Sequence, residues 1–247
     1  MTLRASIVVP VYNEGAQIVC ALDDLFAVVE TPCEVLVVYD TLADTTAAFA
    51  EEYGRRDPRV RPTLNTYGRG PAKAIRFGMD NARADIIVVT MADGSDDQSK
   101  IDEMIRLVGE GASVVAASRY MSGGRQIGGP RLKRLLSRTA GVSLFWLART
   151  GTHDPTNSFK AYSKRFIEHA GIQSEAGFEI GLELVAKARR MRAHVVEIPA
   201  TWRDRTTGKS NFKLARWLKH YIRWYVFAFG PKLDSGSFPT HARRLDA

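Results

Sequence analysis

The sequence predicts an α/β fold built on a doubly wound, mostly parallel sheet. Three observations predict it. Short apolar runs without polar alternation recur along the first half of the chain, as expected of strands buried on both faces. Segments of helical period separate them and give a regular βαβα order. Several runs end in a carboxylate or a Gly/Pro turn, and open α/β sheets bind ligands off the carboxyl ends of their strands.

The elements follow in order. Residues 6–9 form a first strand, which ends in the turn Pro10-Val11-Tyr12-Asn13-Glu14 and opens a helix through 29. Residues 34–39 form a second strand, ending at Asp40. Asp44-Thr45-Thr46 caps a helix to about residue 56. A weaker strand covers 60–64, a Gly/Pro loop 67–71 and a helix 72–82. The run at 86–90 is wholly apolar except for its closing Thr90, and it passes at once into Asp93, Asp96 and Asp97. Carboxylates on that rim suit a hard cation that holds a ligand's phosphates. Ser95, Asp96 and Asp97 equally suit capping of the helix expected over 98–108.

A strand at 113–118 completes the regular part. Gly123-Gly124 and Gly128-Gly129-Pro130 then mark a loop. Residues 131–149 have helical period, with Leu132, Leu135, Leu136, Thr139, Ser143 and Trp146 on one side. A strand is expected over 157–162, an amphipathic helix over 178–190, a strand over 194–198 and a last helix over 213–229. There is no repeat or linker, so residues 1–233 are read as one domain and 234–247 as a loose tail.

The chain has 247 residues and a formal net charge of +8, unevenly spread. Residues 111–153 and 205–233 each carry seven Arg/Lys and no acid, while the remainder is acidic. Two basic segments on an acidic body imply an anionic partner: phosphate groups, a membrane surface or nucleic acid. Nucleic acid is set aside, because no module for it is recognisable despite an isoelectric point near 9.6. In the last helix Leu214, Trp217, Leu218, Tyr221, Ile222, Tyr225 and Phe229 share one face, opposite Arg216, Lys219, His220 and Arg223. An aromatic face against a basic one suits an interfacial helix. Packing on the core gives the same pattern. Residues 131–149 repeat it with Arg131, Lys133, Arg134 and Arg138. No run of 18 apolar residues exists to span a bilayer.

Other motifs are excluded or weaker. Gly68-Arg69-Gly70-Pro71-Ala72-Lys73 is neither a P-loop nor a dinucleotide fingerprint, because its spacing and position are wrong. No Gly-x-Ser-x-Gly elbow exists, and the five histidines show no metal spacing. The run from Arg203 to Ser210, with Arg205 and Lys209, offers cations and hydroxyls around a turn that could hold a phosphate. Cys20 and Cys33 are read as buried free thiols in a reducing compartment, and no signal peptide is visible.

These pieces together resemble glycosyltransferase family two, of the A-type, Rossmann-like glycosyltransferase fold, and within it the dolichyl-phosphate mannosyltransferase branch. The resemblance rests on Pro10 to Glu14, Asp40 to Thr46, Ala92-Asp93, Ser118-Arg119-Tyr120, Asp154 to Lys160 and Arg203 to Ser210, in that order. It implies an inverting transfer from a GDP- or UDP-sugar to a polyprenyl phosphate. Members of this branch often carry membrane-spanning helices; with no spanning run here, the protein is expected to be peripheral to the cytoplasmic face of a membrane. Pro10, Tyr12, Glu14 and Asp40 would line the nucleotide pocket. Asp93 would meet the diphosphate and a Mg or Mn ion. Arg119, Arg131 and Arg205, with Lys209 and Ser210, would hold phosphates of donor or acceptor, and Asp93, Arg119 and Arg205 would be catalytic.

Two positions depart from the family pattern. Met91 stands where an aspartate is usual, and Tyr39 precedes Asp40 where a second aspartate is usual. A thioether is a poor ligand for Mg or Mn, so Ser95, Asp96 or Asp97 would have to supply the missing oxygen. A phosphate acceptor is already anionic and needs no base. A hydroxyl acceptor would need one, and Asp154 or Glu179 would be the candidates. A hydroxyl-acceptor transferase of the same fold, or a non-catalytic nucleotide-sugar-binding module, are the alternatives.

Overall fold

The computed structural model describes residues 2–204 and 214–233. Seven strands form one sheet in the order β3-β2-β1-β4-β7-β5-β8. They are β1 (Ala5–Pro10), β2 (Cys33–Tyr39), β3 (Val60–Leu64), β4 (Ile86–Val89), β5 (Val114–Ser118), β7 (Lys160–Ser163) and β8 (Val195–Pro199). All neighbouring pairs are parallel except those of β7, which runs antiparallel between β4 and β5. A second ribbon pairs β6 (Arg125–Ile127) with β9 (Thr201–Arg203) in parallel. Neither strand of that ribbon was expected, since three polar-rich residues carry no strand period.

The unalternated runs are buried on both faces, as their composition requires. In β1, Ile7 and Val9 face one core and Val8 the other; in β2, Val35 and Val37 oppose Leu36 and Val38. Burial of each such side chain contributes about 1.5–3 kcal/mol, enough to hold strands of four to seven residues without propensity arguments. The first core is covered by α1 (Gln17–Val28), α2 (Ala47–Arg56) and α4 (Ile101–Gly109) through Ile18, Leu22, Leu25, Ala50, Met104 and Ile105. The second is covered by α3 (Pro71–Asp80), α6 (Lys164–Ala170) and α7 (Ile180–Met191) through Ile75, Phe77, Phe166, Ile180 and Leu184. Gly78 lets α3 lie against the sheet, since a Cβ there would stand 2.4 Å from Val8 Cγ1.

The helix expected over 98–108 starts as a 3₁₀ turn at Gln98–Lys100 before α4. Helix α5 (Arg131–Ser143) runs into a π-helical turn, Leu144–Ala148, ending at Arg149 in the left-handed region (φ 57°). The last helix, α8 (Leu214–Phe227), corrects the one-face expectation. Tyr221, Trp224, Tyr225 and Ala228 pack inward with Leu144, Leu182 and Ala186, while Leu218, Ile222, Val226 and Phe229 are exposed. Packing against α7 takes Tyr221, Trp224 and Tyr225 and leaves an apolar stripe of three aliphatic residues and Phe229 outside. The side chains at 214–217 lie outside the described residues. Cys33 is buried as expected, but Cys20 is exposed on α1, because the inward positions of that helix are Ile18, Leu22 and Leu25.

Candidate active site

The carboxyl ends of β1, β2, β4 and β5 share one rim. At the end of β1, Pro10 is buried and Asn13 takes positive φ (55°). Asp44, expected as a helix cap, instead ties two loops together. Its carboxylate accepts Asn13 N at 3.1 Å from either oxygen and Thr46 N at 2.8 Å. Glu14 N donates to Thr46 Oγ1 at 3.0 Å. Tyr12 is left exposed and Glu14 half-buried beside it. Asp40, at the end of β2, accepts Asn65 Nδ2 (2.7 Å) and Gly70 N (2.8 Å), so the 65–70 loop closes over it.

Past β4 the chain turns tightly around Asp93, whose Oδ1 accepts Ser95 N at 3.1 Å. Asp96 folds back, and its Oδ2 accepts Thr90 Oγ1 (3.1 Å) and Met91 N (3.0 Å). Burial, and then the charge of Asp93, push the Asp96 carboxyl up to about 7. Asp97 points elsewhere: it accepts Ser99 Oγ at 2.6 Å and Thr201 N at 3.4 Å. The capping role is therefore not taken, and no side chain caps α4. The β6–β9 ribbon holds this loop from outside, with Arg203 N donating to Ser95 O at 2.9 Å.

Among the described residues no group of three His, Cys, Asp or Glu is placed to hold a metal. A hard cation that keeps several waters needs fewer, one or two carboxylates plus ligand phosphates. The repulsion between Asp93 and Asp96 is what such an ion would relieve, so the donor set fits Mg or Mn through these two residues. Asp96 is better placed for this than Asp97.

The next cluster lies after β5. Arg119 forks onto Asp154, Nε to Oδ2 at 2.6 Å and Nη2 to Oδ1 at 2.8 Å, and its backbone N adds a third bond at 3.0 Å. Asp154 is fully buried. Burial alone would raise its carboxyl, but the Arg119 charge overrides this and holds it below the usual range. With both oxygens taken, Asp154 cannot act as the base considered for a hydroxyl acceptor. Glu179 differs: Oε1 accepts Ala176 N at 3.1 Å, while Oε2 is buried without a hydrogen-bond partner among the described residues. Arg119 lies 4.9 Å from the Tyr120 ring centroid and 6.0 Å from that of Trp202. Its Nη2 also reaches Ser137 on α5 (3.3 Å), and Ser137 bonds Thr156 at 2.7 Å.

Arg131 is exposed at the first position of α5, and no hydrogen bond joins its side chain to the carboxylates among the described residues. Arg205, Lys209 and Ser210 lie outside the described residues. Helix α5 meets the body through few residues, and Gly141 is its one buried residue. Leu132, Leu135, Leu136, Trp146 and Leu147 are exposed, the last two at 68% and 72%. Ser143 Oγ and Tyr225 OH, 2.9 Å apart, join α5 to α8, so the exposed stripes belong to adjoining helices.

Known proteins that resemble this chain place it in a family and a fold. The profile of glycosyl transferase family 2 matches residues 6–171. The chain belongs to this family. Over 235 residues it is 29% identical to polyprenol monophosphomannose synthase of Mycolicibacterium smegmatis, covering 87% of each protein. It is 28% identical to dolichol-phosphate mannosyltransferase of Pyrococcus furiosus over 231 residues, 90% of this chain but 63% of that longer protein. Among solved structures, glucosyl-3-phosphoglycerate synthase of Mycobacterium tuberculosis, with Mn2+ and UDP, superposes with a TM-score of 0.63 at 18% identity. That match covers 95% of this chain and 82% of the other. Mannosyl-3-phosphoglycerate synthase of Rubrobacter xylanophilus gives 0.64 at 18%, covering 92% and 72%. The fold is therefore the A-type glycosyltransferase fold.

Family membership was legible from motif order. Lys160 leaves one signal, a lysine within the apolar run Phe159 to Tyr162, and the three-residue strands of the β6–β9 ribbon leave none. The Arg119–Asp154 pair, 35 residues apart, left no spacing signal.

Proposed function

We propose that this protein transfers a hexose from a nucleotide-sugar to a polyprenyl phosphate at a membrane surface, with inversion at the anomeric carbon. One observation carries the acceptor assignment: Arg119, on the rim, is bonded through Ser137 to α5, and that helix with the π-helical turn after it exposes leucines and Trp146 alongside Arg131, Lys133, Arg134 and Arg138. A phosphate-binding group joined to a lipid-seeking helix suits an acceptor whose phosphate emerges from a bilayer. Similarity to polyprenyl-phosphate mannose synthases supports the same reading. No helix among the described residues is long and apolar enough to cross a membrane. The contact proposed is through the exposed face of α5 and the turn after it.

In the reaction, an acceptor phosphate oxygen attacks the anomeric carbon. The bond from that carbon to the diphosphate breaks, and its electron pair leaves with the nucleoside diphosphate. Tyr12, Glu14 and Asp40 would hold the nucleoside half of the donor. Asp93 and Asp96 would hold a divalent cation, which when bound neutralises charge on the leaving diphosphate. Arg119, kept rigid by Asp154, presents fixed positive charge to a phosphate and needs no reorganisation as charge develops. The phosphate acceptor is anionic near neutral pH, so a general base is unnecessary.

The test is transfer of radiolabelled sugar from a panel of GDP- and UDP-sugars to extracted polyprenyl phosphate. Labelled lipid is the expected product. Label appearing on a soluble hydroxyl acceptor and never on lipid would overturn the acceptor assignment. The buried Oε2 of Glu179, which has no hydrogen-bond partner among the described residues, favours that second reading, with Glu179 as the base.

A further inference from the structure

Lys160 is fully buried, yet it opens a strand whose other residues are apolar or small. Because β7 runs antiparallel, its first residue sits where the parallel strands end. Lys160 pairs with Val89 of β4 on one side and Ala116 of β5 on the other. It therefore lies between the strand that leads into Asp93 and the strand that leads into Arg119. Its ammonium donates to three backbone carbonyls, those of Asp154 (3.3 Å), Pro155 (3.2 Å) and Asn157. Three donors on –NH₃⁺ meet three acceptors, so the group is fully used.

Those carbonyls belong to a strap, residues 152–157, that crosses the end of β5. Thr152 Oγ1 accepts Asp154 N at 3.0 Å and donates to Glu197 Oε1 at 2.9 Å. Asn157 Nδ2 donates to Ala117 O at 3.0 Å. The strap carries Asp154 to Arg119 and Thr156 to Ser137 of α5. Gly141 of α5 lies flat on it, where a Cβ would stand 2.0 Å from His153 O. An apolar residue would cost less at a buried strand position, since isolated buried charge is expensive. A lysine here is explained if the strap needs a fixed donor beneath it.

We propose that Lys160 is a positioning residue, whose ammonium fixes the 152–157 strap and through Asp154 holds Arg119 and α5 in the arrangement that receives phosphate. The charged groups around it are Asp154 on the strap, Arg119 after β5, Glu197 on β8 and Asp96 after β4. Burial lowers its ammonium to about 8, with Asp154 opposing, so the charge is present near neutral pH and lost above that.

The inference rests on the transfer reaction proposed above, and the test separates the two. kcat/KM for lipid-phosphate glycosylation is measured for wild type, Lys160→Met, Arg119→Gln and the double variant. A loss of roughly tenfold or more is expected for Lys160→Met, with no further loss when it is added to Arg119→Gln, because residues acting as a unit are not additive. Wild-type kcat/KM falls as pH rises through about 8, and Lys160→Met lacks that limb. Additive losses, or an alkaline limb retained by Lys160→Met, would overturn the inference and leave the reaction standing. Lys160→Gln keeps N–H donors for two carbonyls and replaces methionine if that variant does not fold. Should neither fold, a wild-type profile constant to pH 9.5 overturns it and a decline centred near 8 supports it. If wild type transfers no sugar, the proposed function fails instead. A crystal structure of Lys160→Met or Lys160→Gln then decides the inference alone: an unmoved strap and Arg119 fork refute it, and a displaced fork supports it.

Discussion

Removing the Arg119 side chain is the most informative single perturbation of the fold. Arg119→Met keeps the length of the aliphatic stem but strips Asp154 of two charge-assisted hydrogen bonds, of 2.6 and 2.8 Å, and of its counter-ion. Asp154 is fully buried, so it is left as a charge with one backbone donor and the nearby Lys160. Breaking a buried pair from one side costs about 3–5 kcal/mol. For a chain of this size, each kcal/mol moves melting by about 2–4 °C, so a fall of roughly 10 °C is expected at pH 7. The loss depends on pH with a definite sign. In wild type the carboxyl is held below its usual range, so its contribution is present above that range and lost as pH falls through the lowered value. In the variant burial dominates and the carboxyl titrates higher, so lowering pH neutralises it and relieves the penalty. The gap between the two proteins should be widest near neutrality and narrow towards pH 4. Arg119→Met with Asp154→Asn should regain at least half of the loss while remaining inactive. Urea and thermal melts at several pH values measure all of this. A loss under about 1 kcal/mol, or a gap independent of pH, would refute the pairing as the source of local rigidity.

Two further outcomes are expected. Asp96 is pushed up to about 7 by burial and by Asp93, so the folded protein holds a proton that the unfolded chain has released. Without divalent metal, stability should therefore fall as pH rises from about 4 to 7, and Asp96→Asn should flatten that slope in melts; an unchanged slope counts against the carboxylate pair. Leu135 and Trp146 are exposed, so replacing both with serine should leave stability within about 0.5 kcal/mol for each change. The same change should weaken flotation with anionic liposomes, and the wild-type binding should itself weaken with salt. Equal flotation of variant and wild type would remove α5 from any membrane contact.

The strands of the first half were legible because burial on both faces writes itself as unbroken apolar runs, and β1, β2 and β4 lie where those runs lie. Asp40 stands directly beyond the end of β2, and Asp93 follows the end of β4 after Thr90, Met91 and Ala92. The antiparallel sense of β7 was not legible, because strand direction depends on what the intervening residues 119–159 do, and they contain no repeated unit. Asp44 read as a cap because Asp-Thr-Thr before a helix is a local signal, yet its partners include Asn13, 31 residues away. The faces of α8 were misjudged for a similar reason. Periodicity gives which residues share a side, whereas the neighbour, here α7, decides which side is covered. Asp93 and Asp96 are plain in the sequence, but the turn through Ser95 that brings their charges together is not.

The most direct measurement is a thermal shift of wild type and Asp93→Ala with GDP- and UDP-sugars, each with and without Mn2+. A donor at a hundred times its dissociation constant stabilises the fold by about 2.7 kcal/mol, several degrees at this chain length. The expected result is a donor shift in wild type that grows with Mn2+, and an Asp93→Ala protein that melts normally alone but shows no Mn2+-dependent increment. An Asp93→Ala protein whose donor shift grows with Mn2+ as the wild type's does would contradict the assignment of the strand-end carboxylates to the diphosphate and its ion.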